Sequence, residues 1–131
     1  MILVDSSVWI DYFNGRKTAK TDWLDTALGN KPITIGDLIL AEVLQGFEND
    51  NDFKTAKKLL LSFPCFEMVG QEIAIKSAQN YRFLRKNGVT VRKTIDVIIG
   101  TFCIHSQISL LHDDRDFDPM EKLLKLKTIK T

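Results

Sequence analysis

Met1-Ile2-Leu3-Val4-Asp5 begins the chain, an apolar run that ends in a carboxylate. Three consecutive apolar residues without alternation predict a strand covered on both faces, the mark of a parallel sheet flanked by helices. Ser6 and Ser7 follow and can cap a helix through Val8-Trp9-Ile10-Asp11-Tyr12-Phe13, which puts Asp5 in a strand-to-helix turn. In open α/β sheets that edge is where ligands bind. Asp5 therefore has two readings, a helix cap or a member of a ligand site, and three later carboxylates at similar junctions favour the second.

Downstream, Thr21 to Leu28 is expected to be helical, with Gly29-Asn30 ending it, and Pro32-Ile33-Thr34-Ile35 is a short strand candidate. Asp37 can cap a third helix, Leu38 to Gly46, in which Glu42 is the only charged side chain. A carboxylate among Ile39, Leu40, Val43 and Leu44 costs desolvation unless it faces a polar pocket or a cation. Asp52 is expected to cap a fourth helix reaching Leu61, Phe63 to Val69 reads as a strand, and Gln71 to Lys86 as a long amphipathic helix stopped by Asn87-Gly88. Ile95 to Ile104 is apolar almost all round and should be buried against the sheet. Its single charge, Asp96, sits in the first turn, where a helix N-terminus favours a negative group, although an exposed capping Asp does not normally lead so hydrophobic a helix. Ile108 to His112 is the next strand, and it runs into Asp113-Asp114-Arg115-Asp116-Phe117-Asp118. So many carboxylates at one strand end repel one another, which calls for a positive group nearby. A short helix near Met120 to Leu124 and a fifth strand, Leu126 to Ile129, complete an α/β/α three-layer reading with a mainly parallel five-stranded sheet.

With 131 residues and 44% hydrophobic side chains, the chain is expected to form one domain, residues 1–131, with a real core. The net charge of +1 does not point to or away from a polyanion, but its distribution is uneven. Residues 1–50 carry four basic and eight acidic side chains, residues 51–93 nine and three, and residues 94–131 five and six. A basic block between acidic ones suits a phosphate-contacting surface beside an acidic pocket, and equally suits solvated helix faces. Cys65 and Cys103 have neither metal-site spacing nor a disulfide-rich context and are read as reduced core residues. No segment approaches the roughly 20 apolar residues of a membrane span, so a cytoplasmic protein without membrane contact is expected.

If the strands that lead to Asp5 and Asp114 flank the switch point of the sheet, Asp5, Glu42, Asp96 and Asp114 can converge in one crevice. Carboxylates without His or Cys ligands suit hard cations, Mg²⁺ or Mn²⁺, rather than zinc. Such an ion activates water and neutralises charge developing on a phosphodiester. Asp5, Asp96 and Asp114 are the expected main ligands, with Glu42 ligating directly or through water. Arg82, Arg85, Arg92 and Lys93 are candidates to hold a nucleic-acid backbone, with salt bridges to the acidic rim as the alternative for Arg92 and Lys93. His105 and His112 are read as structural, and no glycine-rich phosphate loop or dinucleotide fingerprint is present.

Four segments, Leu3-Val4-Asp5-Ser6-Ser7-Val8-Trp9-Ile10, Ala41-Glu42-Val43-Leu44-Gln45-Gly46, Thr94-Ile95-Asp96-Val97-Ile98-Ile99-Gly100 and Leu110-Leu111-His112-Asp113-Asp114-Arg115-Asp116-Phe117, resemble in order the successive motifs of PIN-domain ribonucleases. Tyr81 to Gly88, joined to Arg92-Lys93-Thr94-Ile95-Asp96, looks like the VapC-type toxins in particular. The resemblance implies magnesium- or manganese-dependent cleavage of RNA, with transfer or ribosomal RNA as substrate. It makes Asp5 the first-strand acid, Glu42 the third-helix acid, Asp96 the buried-helix acid and Asp114 the post-strand acid. It adds Asp116 as an acid assisting the metal site and Ser6 as a small hydroxyl beside it, while Asp113 stands where many relatives carry Asn or a small residue. It further implies a homodimer and a cognate antitoxin whose C-terminal segment occupies the groove. The competing readings are an inactive RNA- or peptide-binding module using the same acidic pocket, and a nuclease with another target and no antitoxin.

Overall fold

The computed structural model describes residues 1–131. Its strands are β1 (Ile2–Val4), β2 (Ile33–Gly36), β3 (Cys65–Phe66) and β4 (Ser109–Leu111), all parallel and ordered β3-β2-β1-β4. The unbroken apolar run at the start is central because β1 is paired on both edges: Leu3 stands opposite Thr34 on one side and Leu110 on the other. Leu3, Val4, Ile35, Leu110 and Leu111 are completely buried. The helices are α1 (Ser6–Phe13), α2 (Ala19–Ala27), α3 (Asp37–Leu44), α4 (Asp50–Leu60), α5 (Gly70–Lys86), α6 (Thr94–Ser106) and α7 (Asp118–Leu124), with a 3-10 turn at Arg115–Phe117.

From β1 the chain steps outward to β2 and then β3, and returns across the sheet to β4 on the other side of β1. Right-handed crossovers put the helices of the outward steps on one face and those of the return on the other. The packing agrees: α1 contacts α2 and α3, and α3 contacts α4, whereas α5 packs on α6 and α7. The strand order therefore reverses between β1 and β4, and their C-terminal ends open a crevice there. Helix α6, apolar on nearly every side, buries Val97, Ile99, Gly100, Thr101, Phe102 and Cys103, as its composition predicts. Trp9 is fully buried and stacks on Phe13 at 5.7 Å, so this aromatic closes the core.

Two local devices fix where α3 leaves the sheet. Asp37 Oδ1 accepts hydrogen bonds from its neighbour Leu38 N (2.8 Å) and from Met68 N (3.1 Å), tying the end of β2 to the segment after β3. Gly36 has no side chain because Met68 fills that space; a Cβ there would lie 2.1 Å from its sulfur.

The structure corrects the sequence reading in several places. Gly36, not Asp37, is the cap position of α3, with Asp37 its first residue; Asp5, not Ser6 or Ser7, caps α1; and the strand expected over Phe63 to Val69 is only Cys65–Phe66. The sheet has four strands, not five: Thr128 makes an isolated parallel bridge to Leu110, with Leu110 N donating to Lys127 O and Ile129 N to Leu110 O, both at 2.9 Å. Alternate residues of a strand turn their peptide groups to opposite edges. Ser109 and Leu111 are turned to β1, so the three-residue β4 offers its outer neighbour Leu110 alone. The cap of α4 is Asn49, not Asp52; Asn49 Oδ1 accepts from Asn51 N and Asp52 N, and the helix starts at Asp50, three residues earlier than a cap at Asp52 implies. Cys65 is exposed on the outer strand β3, not in the core, since no strand covers that edge; Cys103 is buried, and both are free.

Candidate active site

Asp5 follows β1 and caps α1 with one oxygen. Its Oδ2 accepts from Ser7 N at 3.1 Å and from Ser7 Oγ at 2.6 Å. The other oxygen, Oδ1, is buried without a hydrogen-bond partner, on a residue only 3% exposed. The cap therefore occupies one oxygen of Asp5 and leaves the other without a partner. Burial raises its pKa above the ordinary carboxylate value, while the Ser7 hydrogen bonds work in the opposite direction.

The parallel pairing of β1 with β4 carries Asp114 to the same edge. Asp5 N donates to Leu111 O at 2.9 Å, and Asp113 N donates to Ser7 Oγ at 3.0 Å across the switch point. Asp114 is held from both sides: its N–H donates to His112 Nδ1 (3.3 Å), and its Oδ1 accepts from Asp116 N (2.9 Å). His112 is buried against Phe117, with ring centroids 4.9 Å apart, and burial lowers its pKa, as expected of a neutral structural imidazole.

Helix α6 brings Asp96 in from its first turn. This residue is 4% exposed, and its Oδ2 has no hydrogen-bond donor. Burial first, then the charge of Asp5, with smaller contributions from Asp114 and Glu42, pushes its pKa up to about 7, against the pull of Lys93. Glu42, on α3, accepts from Ser6 Oγ at 3.3 Å; burial and the charge of Asp5 raise its pKa as well. Carboxylate oxygens of Asp96, Asp114 and Asp116 lie within 4.8 Å of one another. Asp116 thus joins Asp96 and Asp114 in the close group, whereas Asp5 and Glu42 lie outside it and act on Asp96 through their charge. An all-oxygen donor set with buried, unpartnered atoms on Asp5, Asp96 and Asp116 fits a hard divalent cation.

The positive charge that the post-strand acids call for comes from the start of α6. Lys93 Nζ is 3.6 Å from Asp114 Oδ2 and 4.0 Å from Asp96 Oδ2, and Arg92 is 3.7 Å from Asp116 Oδ2. Arg82 and Arg85 form no ion pair with the acids. Arg85 lies 5.8 Å over the Tyr81 ring, and Arg82 lines a shallow groove between α5 and α6.

Ser7 is the site residue that sequence reading missed as anything beyond a helix cap. The available signal was its position two residues after a strand-terminal Asp, the spacing of an Asx-turn. Ser7→Ala removes the hydroxyl that Asp5 and Asp113 share, and is expected to lower stability by about 1–2 kcal/mol. Denaturant unfolding checks this, with Ser7→Thr as the variant that keeps the hydroxyl; an alanine variant as stable as the parent would show that the bridge contributes nothing.

A family model described as PIN domain matches residues 2–123. The chain is 29% identical over 130 residues to VapC ribonuclease Mb1587 of Mycobacterium bovis, covering 97% of this chain and 96% of that one. Among solved structures, VapBC2 from Rickettsia felis bound to a DNA fragment from its promoter superposes with a TM-score of 0.76 at 15% identity, covering 98% of both chains. A toxin-antitoxin complex from Klebsiella pneumoniae gives 0.70 at 17% identity, covering 99% of this chain and 97% of that one. At these identities the two structures speak to the fold alone.

Proposed function

The chain belongs to the PIN-domain family, and from that premise we propose that it is a metal-dependent endoribonuclease acting as the toxin of a toxin–antitoxin pair. The observation that carries the catalytic part is the pair of buried, unpartnered oxygens, Asp5 Oδ1 and Asp96 Oδ2, on carboxylates whose pKa values burial raises, with the charge of Asp5 adding to the rise at Asp96. Burying such groups without a cation opposes folding, so their presence needs a ligand that stabilises the anions. Asp5, Asp96 and Asp114 would hold Mg²⁺ or Mn²⁺, with Asp116 assisting and Glu42 acting directly or through water. Bound there, the ion supplies Lewis-acid neutralisation of a phosphodiester and a water of lowered pKa.

The remaining roles belong to the chain's own side chains. Ser6 orients Glu42 toward the site. Ser7 holds the Asp5 carboxylate and the backbone of Asp113, and His112 accepts from the backbone N–H of Asp114. Arg92 and Lys93, paired with the acids at their rim, would receive the RNA backbone, with Arg82 and Arg85 elsewhere on the same basic segment. The toxin role and the antitoxin partner draw their support from the VapC ribonuclease relative and the toxin-antitoxin fold neighbour, and the homodimer is what the resemblance to VapC-type toxins implies.

The purified protein is expected to cut structured RNA, transfer or ribosomal, when Mg²⁺ or Mn²⁺ is added and to stop when EDTA is present. Sequencing the 5′ ends of the products reads substrate and cut position together. RNA that is bound but never cleaved at any divalent-ion concentration would leave a binding module in place of a nuclease. No helix is long and apolar enough to cross a membrane.

A further inference from the structure

We propose that Lys93 is an internal counter-ion of the acid site, which a divalent cation must displace, so that the chain's own ammonium competes with the metal and sets its affinity. The inference rests on reading these acids as the metal-holding group, and it assigns Lys93 a task before any RNA arrives.

The position of Lys93 carries the argument. It is the residue immediately before α6, extended at φ −118°, and makes no side-chain cap to that helix. Its Nζ instead reaches Asp114 Oδ2 at 3.6 Å and Asp96 Oδ2 at 4.0 Å. Those carboxylates come from different elements, one from the first turn of α6 and one from beyond β4, and both belong to the trio whose oxygens lie within 4.8 Å. Its charge is also felt at Glu42, while Arg92 attends to Asp116 alone. An ion contacting Asp96 and Asp114 would share those oxygens with a group of its own sign, and the two would repel.

The contact is loose enough to be given up. At 4.0 Å the ammonium attracts Asp96 without donating a hydrogen bond, and Asp96 Oδ2 stays unpartnered. The Lys93 side chain is 56% exposed, and a lysine ammonium is a strongly hydrated point charge on a flexible stem that can turn to water at little cost. In the metal-free chain Lys93 limits repulsion among the acids. Once it is displaced, the same cation is beside the metal site and available to an incoming phosphate. The competing description is an ordinary rim ion pair, which is worth little in water.

The test is calorimetric titration of the intact protein with Mn²⁺ alone, comparing the parent with Lys93→Gln and Lys93→Arg. Lys93→Gln is expected to bind Mn²⁺ about five- to tenfold more tightly, and Lys93→Arg, which keeps the charge, with close to parental affinity. In a measurement needing no variant, the Lys93 ¹³Cε resonance should move to its solvent-exposed position with the same midpoint as Mg²⁺ binding. Unchanged or weaker Mn²⁺ binding in Lys93→Gln, or a Lys93 resonance indifferent to Mg²⁺, would overturn the counter-ion assignment while leaving the nuclease reading intact. Failure of the parent and both variants to bind Mn²⁺ would remove both.

Discussion

Asp5→Asn is expected to reduce metal-dependent RNA cleavage by at least about a hundredfold while leaving the melting temperature unchanged or raised. The loss follows from charge: an amide oxygen cannot replace an anionic ligand, and removing several kcal/mol of transition-state stabilisation costs about a factor of ten per 1.4 kcal/mol. Retained stability follows from the division of labour between the two oxygens. Oδ2 serves as the cap of α1 and accepts from Ser7, and Asn is as good a cap as Asp. Oδ1 is buried and unpartnered, so neutralising the group relieves a desolvation cost in the metal-free chain. Asp5→Ala should behave differently, losing the cap as well and falling in stability by about 0.5–2 kcal/mol. Cleavage assays and thermal unfolding of the two variants side by side separate the roles. Cleavage by Asp5→Asn within a few-fold of the parent would remove Asp5 from the catalytic set.

The second large effect concerns pH and Asp96. In the folded, metal-free chain its pKa is about 7, against an ordinary value of 3.8. The folded state therefore holds a proton that the unfolded state has released throughout that interval. Stability from this group is complete below about pH 4, declines as pH rises, and is gone above about pH 7. The slope approaches about 1.4 kcal/mol per pH unit, for a total of a few kcal/mol. Asp5 and Glu42, both raised chiefly by burial, act in the same direction. Glu72 and Glu121 have lowered pKa values from their lysine partners and act oppositely at the acid end, so the informative quantity is the difference between the parent and Asp96→Asn. With EDTA present, Asp96→Asn should gain on the parent steadily from pH 4 to pH 7, and Mg²⁺ or Mn²⁺ should erase the gain by stabilising the parent's anions. Parallel pH profiles for the two proteins would show that Asp96 titrates normally and lies outside the acid cluster.

Much of the candidate site is legible in the sequence because its parts are local. A strand-terminal Asp, one Glu in an apolar helix, one Asp leading a buried helix and acids after the last strand each stand out against their neighbours. Burial of a charge is costly enough that such exceptions carry meaning. The fifth strand failed as an expectation because apolar character marks a segment that can pair without reporting what its neighbour offers; β4 offers one residue. Cys65 failed for a related reason, since its short strand lies at the open edge of the sheet.

The sequence by itself pointed to the helices, a mainly parallel sheet and the acids that stand out from their neighbours, because periodicity, capping and charge act within a turn or two of the chain. Only the tertiary structure decided that β1 lies beside β4, that Asp5 keeps one oxygen free while the other caps α1, that Ser7 ties the two strand ends, and that Lys93 rather than Arg82 or Arg85 faces the acids. These features depend on which strands become neighbours across about a hundred residues. That choice is made by the joint burial of β1 between β2 and β4, to which no single stretch of chain holds the key.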